Sequence, residues 1–285
     1  MIESENTPTP IMGETMSFEE FRSQELGGWD KRADVYEGLT ARVTTQAIPA
    51  LLTGIRARVG LQILDICSGP GFAAGAADAI GATATGIDFA PGMVEAARQR
   101  FPRLEFREGD ALALDEPDAM YDAVICNFGV FHFTDPLEAF REAYRVLRPG
   151  GRYAFSQWAS PKDSPLFACV FGAIMKHADM SQVPPSPDAF VFSDHENCRN
   201  SMEAAGFSDV EIIPVPSVYH TTSADGFWEE FLQFSVRTPI IMDQQTEDAR
   251  TAIEADVAAA ISNYESDGAI AVPMPSFVVA AVKSV

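Results

Sequence analysis

Between Leu61 and Trp158 the sequence switches repeatedly from a short apolar run to a helical pattern and back, and this alternation restricts the fold more than any other feature. Runs with strand character at 61–67, 84–88, 104–109, 121–127 and 152–158 are interleaved with helical stretches at 72–80, 91–101 and 136–147. Parallel strands need long crossover connections, which helices supply, so the pattern predicts a mostly parallel sheet with helices on both faces. Residues 121–127 are almost continuously apolar, as a strand buried on both faces must be. The helix that follows carries its own ends. Asp135 suits the N-cap, Pro136 the first helical position and Glu138 the closing member of a capping box, and Gly150 supplies the terminating turn. Leu137, Phe140, Tyr144 and Leu147 form its core stripe.

A chain of 285 residues, 47% hydrophobic, can bury one large core without splitting. The expected organisation is a flexible tail at 1–15 and a single domain at 16–285. Within that domain we expect a helical lid at 16–60, a cofactor-binding half at 61–158 and a helical cap inserted at 159–206. Strands and helices at 207–285 complete it. The segments "DVEIIPVPSVYH" and "MPSFVVAAVKSV" contribute two more strands, for a total of seven, with a helix from Asp243 to about Glu265 between them.

Forty-one acidic and twenty basic residues give a net charge of −21, which repels nucleic acid phosphates and anionic membrane. Nucleic acid is therefore not an expected partner. Such a surface also simply keeps a protein soluble. The apolar runs are too short to span a membrane, and the N-terminus is acidic and polar rather than signal-like. Four scattered cysteines with no C-x-x-C pair argue against a metal site and against a disulfide framework, so a reduced cytoplasm is expected. Nothing in the sequence fixes the oligomeric state.

The stretch "ILDICSGPGFAAGAADAI" at 63–80 runs from strand through glycine loop into helix, and it admits two readings. Gly69 to Ala74 satisfies the dinucleotide fingerprint G-x-G-x-x-A, in which bare backbone approaches a pyrophosphate at a helix N-terminus. One register earlier, Asp65-Ile66-Cys67-Ser68-Gly69-Pro70-Gly71 resembles the first motif of the class I S-adenosylmethionine-dependent methyltransferases. Asp88 ends the second strand, where either family places an acid against ribose hydroxyls, so it does not discriminate. The later motifs do. "EGDALAL" (108–114) after strand three, "ICNFGVFHFTDP" (125–136) after strand four and "RVLRPGGRYAFSQW" (145–158) into strand five have the order and spacing of the methyltransferases.

Over residues 29–158 the chain is thus similar to the ubiquinone-biosynthesis-like group of small-molecule methyltransferases. The resemblance implies a Rossmann-like α/β fold with a seven-stranded, mostly parallel sheet, helices on both faces and an antiparallel last strand. It implies S-adenosylmethionine as cofactor, S-adenosylhomocysteine as product and a small-molecule acceptor as partner. By it, Asp65, Cys67, Ser68, Gly69 and Gly71 form the loop against the methionyl part, and Asp88 accepts both ribose hydroxyls. Phe89 and Met93 flank adenine, Asp110 and the Ala111 amide meet its edge, and Asn127 and Phe128 border the methionyl chain and sulfonium. Tyr36 and Trp29 lie in a segment that folds over the cofactor in relatives, where each contacts the ligands or merely packs. Trp158 and Phe131 are placed for the acceptor pocket. Cys67 stands where the pattern most often has glycine. A cysteine does not easily adopt positive φ, so the turn is expected to begin after it.

Methyl transfer from a sulfonium is an in-line displacement that positioning alone can largely accelerate, with a base needed only when the nucleophile must lose a proton. His132, in "GVFHF", is the candidate base, the alternative being a histidine that bonds loop backbone. Three functions stay in view: methyl transfer to an oxygen, nitrogen or carbon nucleophile; a methyltransferase-like fold that binds the cofactor without transfer, as a cyclase or regulatory subunit; and nicotinamide-dependent oxidoreduction. The acceptor is not legible.

Overall fold

The computed structural model describes residues 18–224 and 226–285; the expected tail at 1–15 lies outside them. The chain enters through three short helices, α1 (Phe18–Asp30), α2 (Leu39–Thr44) and α3 (Ile48–Gly54). Alternation follows: β1 (Gln62–Ile66), α4 (Phe72–Ala79), β2 (Thr83–Asp88), α5 (Pro91–Arg100), β3 (Glu105–Glu108) and β4 (Tyr121–Cys126). Then come α6 (Pro136–Val146), β5 (Leu147–Trp158), α7 (Pro165–His177), α8 (His195–Ala204) and β6 (Phe207–Val215). β7 (Val218–Thr221), α9 (Phe227–Phe234), α10 (Arg237–Asp243), α11 (Glu247–Ser262), β8 (Glu265–Ser266), β9 (Ala269–Pro273) and β10 (Ser276–Lys283) complete the chain.

The main sheet has seven strands in the order β3-β2-β1-β4-β5-β10-β6. β1 to β5 pair in parallel, whereas β10 runs antiparallel to both β5 and β6. Strand order reverses between β1 and β4, and at such a switch point the crossover helices diverge and leave a crevice beyond the carboxyl ends of the strands. One apolar core lies beneath α6 and α8, the other beneath the entry helices, α4, α7 and the late insert. β4, at the centre, is buried on both faces, which its apolar run requires.

α6 is capped as read: Asp135 accepts the Glu138 amide at 3.1 Å. Its capping box is not closed, because the Glu138 carboxylate turns to Arg141. The helix stops at Val146, and Gly150, at φ +78°, lies inside β5 as an irregularity of the strand.

The two helices expected in the 159–206 cap serve different layers. α8 packs on β6 and α6 as an ordinary sheet-covering helix, while α7 packs on α11, with Lys176 and His177 both on Asp256. The rest of the cap comes from residues 216–275. "DVEIIPVPSVYH" is broken at Pro216 into β6 and β7, and β7 joins a second sheet, β7-β9-β8, outside the main one. Pro214 is tolerated within β6 because that strand is an edge. Tyr219 and Trp228 are core residues of this insert, with the Tyr219 hydroxyl donating to Glu230.

The entry helices are fastened to this insert. Arg32 donates to the carbonyls of Gly28, Leu232, Gln233 and Ser235, supplying the unsatisfied C-terminal carbonyls of α9 with donors. Gln46 bonds both backbone groups of Val218, and Arg42 pairs with Glu230. On the other side, the Asp30 carboxylate accepts the Gly92 amide at the start of α5, and Arg22 pairs with Asp110 at 2.7 Å. α1 therefore roofs the crevice.

Candidate active site

Under that roof, at the carboxyl ends of β1, β2 and β4, lies a cleft of about 1230 Å³ including its open mouth. Tyr36, Cys67, Gly69, Asp88, Phe89, Met93, Asn127 and Phe128 line one half of it. Trp29, Phe131, His132 and Trp158 also line it, beside aromatic residues of the cap. Twelve of the expected residues thus meet at one cavity. Asp65, Ser68, Gly71, Asp110 and Ala111 do not line it.

The loop between β1 and α4 is shaped by left-handed backbone. Cys67 takes φ +54°, so the turn begins at the cysteine, contrary to the expectation that it starts later. The strain is held by surrounding structure: Ser68 donates its amide to the Ile87 carbonyl, and the next amide, Gly69, donates to Asp88 at 2.8 Å. A hydrogen bond with Cys126, together with burial, pushes the Cys67 thiol well up, so it is a neutral neighbour rather than a nucleophile. Gly71 is glycine for packing. Its φ is +83°, and a Cβ there would sit 2.7 Å from the Phe106 ring.

Asp65 acts one step behind the cleft. Its Oδ2 accepts the Ala74 amide at 2.9 Å, in the first turn of α4, where Gly71 has no side chain to cap the helix. Burial raises its carboxyl to about 8, and Oδ1 has no protein partner. Asp110 is already engaged by Arg22 and by the Leu112 amide, and Ala111 is buried in the core under α6.

Asp88 faces the cleft with both oxygens held, Oδ2 by the Gly69 amide and Oδ1 by the Ala90 amide, which fixes the orientation of the remaining lone pairs. Burial raises it to about 6, while those amides and the nearby His132 pull it down. A buried, rigidly oriented carboxylate with acceptor capacity left is what two vicinal ribose hydroxyls require. Phe89 and Met93 stand next to it with apolar surface for a purine. The donor and surface chemistry therefore fits S-adenosylmethionine. The amides of Ser68, Gly69, Gly71 and Ala74 are already donated to Ile87, Asp88, Ser68 and Asp65, and Pro70 has none, so this loop does not offer a pyrophosphate a row of free amides. Asn127 accepts from Ser156 Oγ and donates to the Thr44 carbonyl of α2, and Phe128, at φ +58°, donates its amide to Ser156 Oγ. Burial pushes the Tyr36 phenol up to about 12; its ring packs on Phe72 and reaches within 3.8 Å of a Cβ position at Gly69.

The backbone amide of His132 donates to the loop carbonyl of Gly129, while its partly buried imidazole turns to α1. Its Nδ1 lies 2.6 Å from Glu25 Oε2 of α1, and the same oxygen accepts from Trp29 Nε1 at 3.0 Å. Glu25 is 5% exposed. A carboxylate at Nδ1 fixes the tautomer that carries hydrogen there and leaves the lone pair on Nε2. Sequence reasoning missed Glu25, one acidic residue among 41, because only the tertiary fold brings α1 over the loop after β4. It also missed Arg237, Phe190, Phe231 and Phe234, which line the cleft together with Phe167 and Phe171 from the apolar stretch "PLFACVFGAIM".

Residues 64–155 match a family described as a methyltransferase domain. The demethylmenaquinone methyltransferase of Streptomyces griseus is 30% identical over 171 residues, which cover 58% of this chain and 71% of that protein. Among solved structures, the Haemonchus contortus phosphoethanolamine N-methyltransferase 2 in complex with S-adenosyl-L-methionine aligns with a TM-score of 0.54 and 20% identity, over 95% of this chain and 61% of that one. The [4+2]-cyclase SpnF aligns with a TM-score of 0.52 and 22% identity, over 85% of this chain and 82% of that one. The two structural likenesses establish the fold, which hosts both transfer and cyclisation and so does not decide chemistry. The sequence relatives do decide it: the chain belongs to the class I S-adenosylmethionine-dependent methyltransferases, in the ubiquinone- and menaquinone-like group, and transfers a methyl group from that cofactor to a small-molecule acceptor.

Proposed function

We propose that the Asp88 half of the cleft holds the cofactor and the aromatic half holds a planar aromatic acceptor of the phenol or hydroquinone type, with His132 as the base. The observation that carries this reading is the Glu25–His132 pair at 2.6 Å inside an aromatic-walled cleft. The relatives named demethylmenaquinone methyltransferases support the acceptor class.

When bound, S-adenosylmethionine supplies an activated methyl group. The protein's own part is to place the acceptor and manage one proton. Trp158 stacks on Phe128 at a centroid distance of 3.8 Å and meets Phe167 and Phe234 edge-on, so a flat ring finds apolar faces on several sides. Nε2 of His132 would take the acceptor's hydroxyl proton, and the nucleophilic atom would gain the methyl group as that group's bond to the cofactor sulfur breaks, with S-adenosylhomocysteine as the leaving group. Nδ1–H stays with Glu25, which stabilises the imidazolium so formed. Tyr36 and Trp29 close the cleft and exclude water. Asp65 acts through the α4 terminus as a positioning group for the Ser68–Gly71 loop. In the same reading the entry helices form a lid over 18–54, and catalysis takes place in the reducing cytoplasm, where the four free cysteines remain thiols. Among the described residues no helix is long and apolar enough to cross a membrane.

The test is turnover of S-adenosylmethionine with 1,4-naphthalenediol, read as S-adenosylhomocysteine formed. His132→Ala should lower the rate by ~10²–10⁴ with cofactor affinity intact, the usual contribution of a positioned base. An unchanged rate removes His132 from the chemistry.

A further inference from the structure

The aromatic half of the cleft contains a cation that the methyl transfer does not use. Arg237, at the start of α10, lines the cavity among Phe231, Phe234 and Phe190. Its Nη2 donates to the Pro184 carbonyl, which anchors the guanidinium to the loop after α7. Its Nη1 is buried and has no hydrogen-bond partner. The side chain is partly buried, and that burial lowers its pKa against the opposing pull of Glu25. Glu25 does not neutralise it by contact, being occupied by His132 and Trp29.

A guanidinium partly taken out of water and left with an open donor is an unfavourable arrangement unless something completes it. The neighbouring rings Phe190, Phe231 and Phe234 offer no acceptor, and among the described residues neither Glu25 nor the Ser186, Ser235 and Thr238 side chains that line the same cavity form a hydrogen bond with Nη1. We propose that Arg237 is a specificity-determining residue that binds an oxyanion on the methyl acceptor, so that the acceptor is a planar aromatic carrying a carboxylate or an equivalent charged oxygen. This rests on the reading of the aromatic half as the acceptor site. It narrows that reading, because a neutral hydroquinone leaves Nη1 unsatisfied and an aromatic acid does not. Glu25 and Arg237 then divide the work, one fixing the base and the other fixing the ring that faces it.

The test uses protein saturated with S-adenosylhomocysteine and two rings of matched size, 2-naphthoate and 2-naphthol, titrated calorimetrically. Wild type should bind 2-naphthoate at least tenfold more tightly. Both Arg237→Met, which keeps the apolar stem, and Arg237→Gln should erase that preference by losing roughly tenfold to a hundredfold in naphthoate affinity, as for a hydrogen bond to a charged group. Affinity for 2-naphthol and for S-adenosylhomocysteine should stay at the wild-type value, which also certifies that the variants are folded. Equal binding of the two rings by wild type overturns the assignment while leaving the aromatic site standing. Preference retained in both variants places the oxyanion elsewhere and overturns it as well. Loss of S-adenosylhomocysteine affinity in the variants assigns Arg237 to the cofactor's own carboxylate instead. Binding of neither ring removes the aromatic acceptor reading and the proposal with it.

Discussion

Cofactor affinity should fall as pH falls through about 6, and the cause is a single buried carboxyl. Asp88 has an ordinary value of 3.8 and stands at about 6 here, chiefly through burial. Only the ionised form offers both oxygens to a pair of ribose hydroxyls. A raised acid takes up its proton as pH drops, so the binding-competent form is lost below about 6 and is fully present well above it. At pH 7.5 nearly all of Asp88 is ionised, whereas at pH 5 about one-tenth is, so the dissociation constant for S-adenosylhomocysteine should rise about tenfold between them. The assay is calorimetric titration at half-unit steps, with near-UV circular dichroism confirming a folded protein at each. Asp88→Asn should bind more weakly, by roughly tenfold to a hundredfold, since its hydrogen bonds are no longer charge-assisted and one oxygen becomes a donor facing the Gly69 or Ala90 amide. Its profile should be flat from pH 7.5 to 5. A flat wild-type profile, or the same slope in the variant, refutes the assignment of Asp88 to the ribose.

Asp65 makes the corresponding case for stability. Its carboxyl is raised to about 8 by burial, so the folded state holds a proton that the unfolded chain releases near 4, and stability should decline as pH rises from about 4 to 8. Asp65→Asn should flatten that decline, measured as denaturation midpoints across the range. Glu25→Gln keeps an acceptor for Trp29 but removes the charge opposite His132; turnover should drop ~10–100-fold with S-adenosylhomocysteine affinity unchanged, the loss expected for a charge-assisted hydrogen bond at 2.6 Å. Arg32→Met should cost about 2–4 kcal/mol in chemical denaturation, because four carbonyls at 2.9–3.2 Å lose their donor and the entry helices come away from α9.

The centre of the main sheet was readable because β1 and β4 are short apolar runs, and the Asp135-Pro136 start of α6 is chemistry local to four residues. The cleft's floor was readable for the same reason: Asp88, Phe89 and Met93 follow one strand, and Asn127 and Phe128 follow another. What failed was what depends on distant chain. Nothing local marks Cys67 as left-handed; its conformation is imposed by the amides of Ser68 and Gly69 reaching across to β2. Glu25 lies on a helix rich in polar residues and becomes special only when folded against His132. Arg237 opens a helix of seven residues, and its open donor is visible only once the cap aromatics surround it. The second sheet escaped because "VPSVYH" and "AIAVP" are too short to declare their partners.

A structure with S-adenosylhomocysteine bound shows where the ribose and the sulfur lie. Both ribose hydroxyls should fall within about 2.6–3.2 Å of the Asp88 carboxylate, with adenine between Phe89 and Met93 and the sulfur facing the space between His132 and Trp158. A ribose bound away from Asp88, or a sulfur turned away from His132, would contradict this placement of cofactor and base.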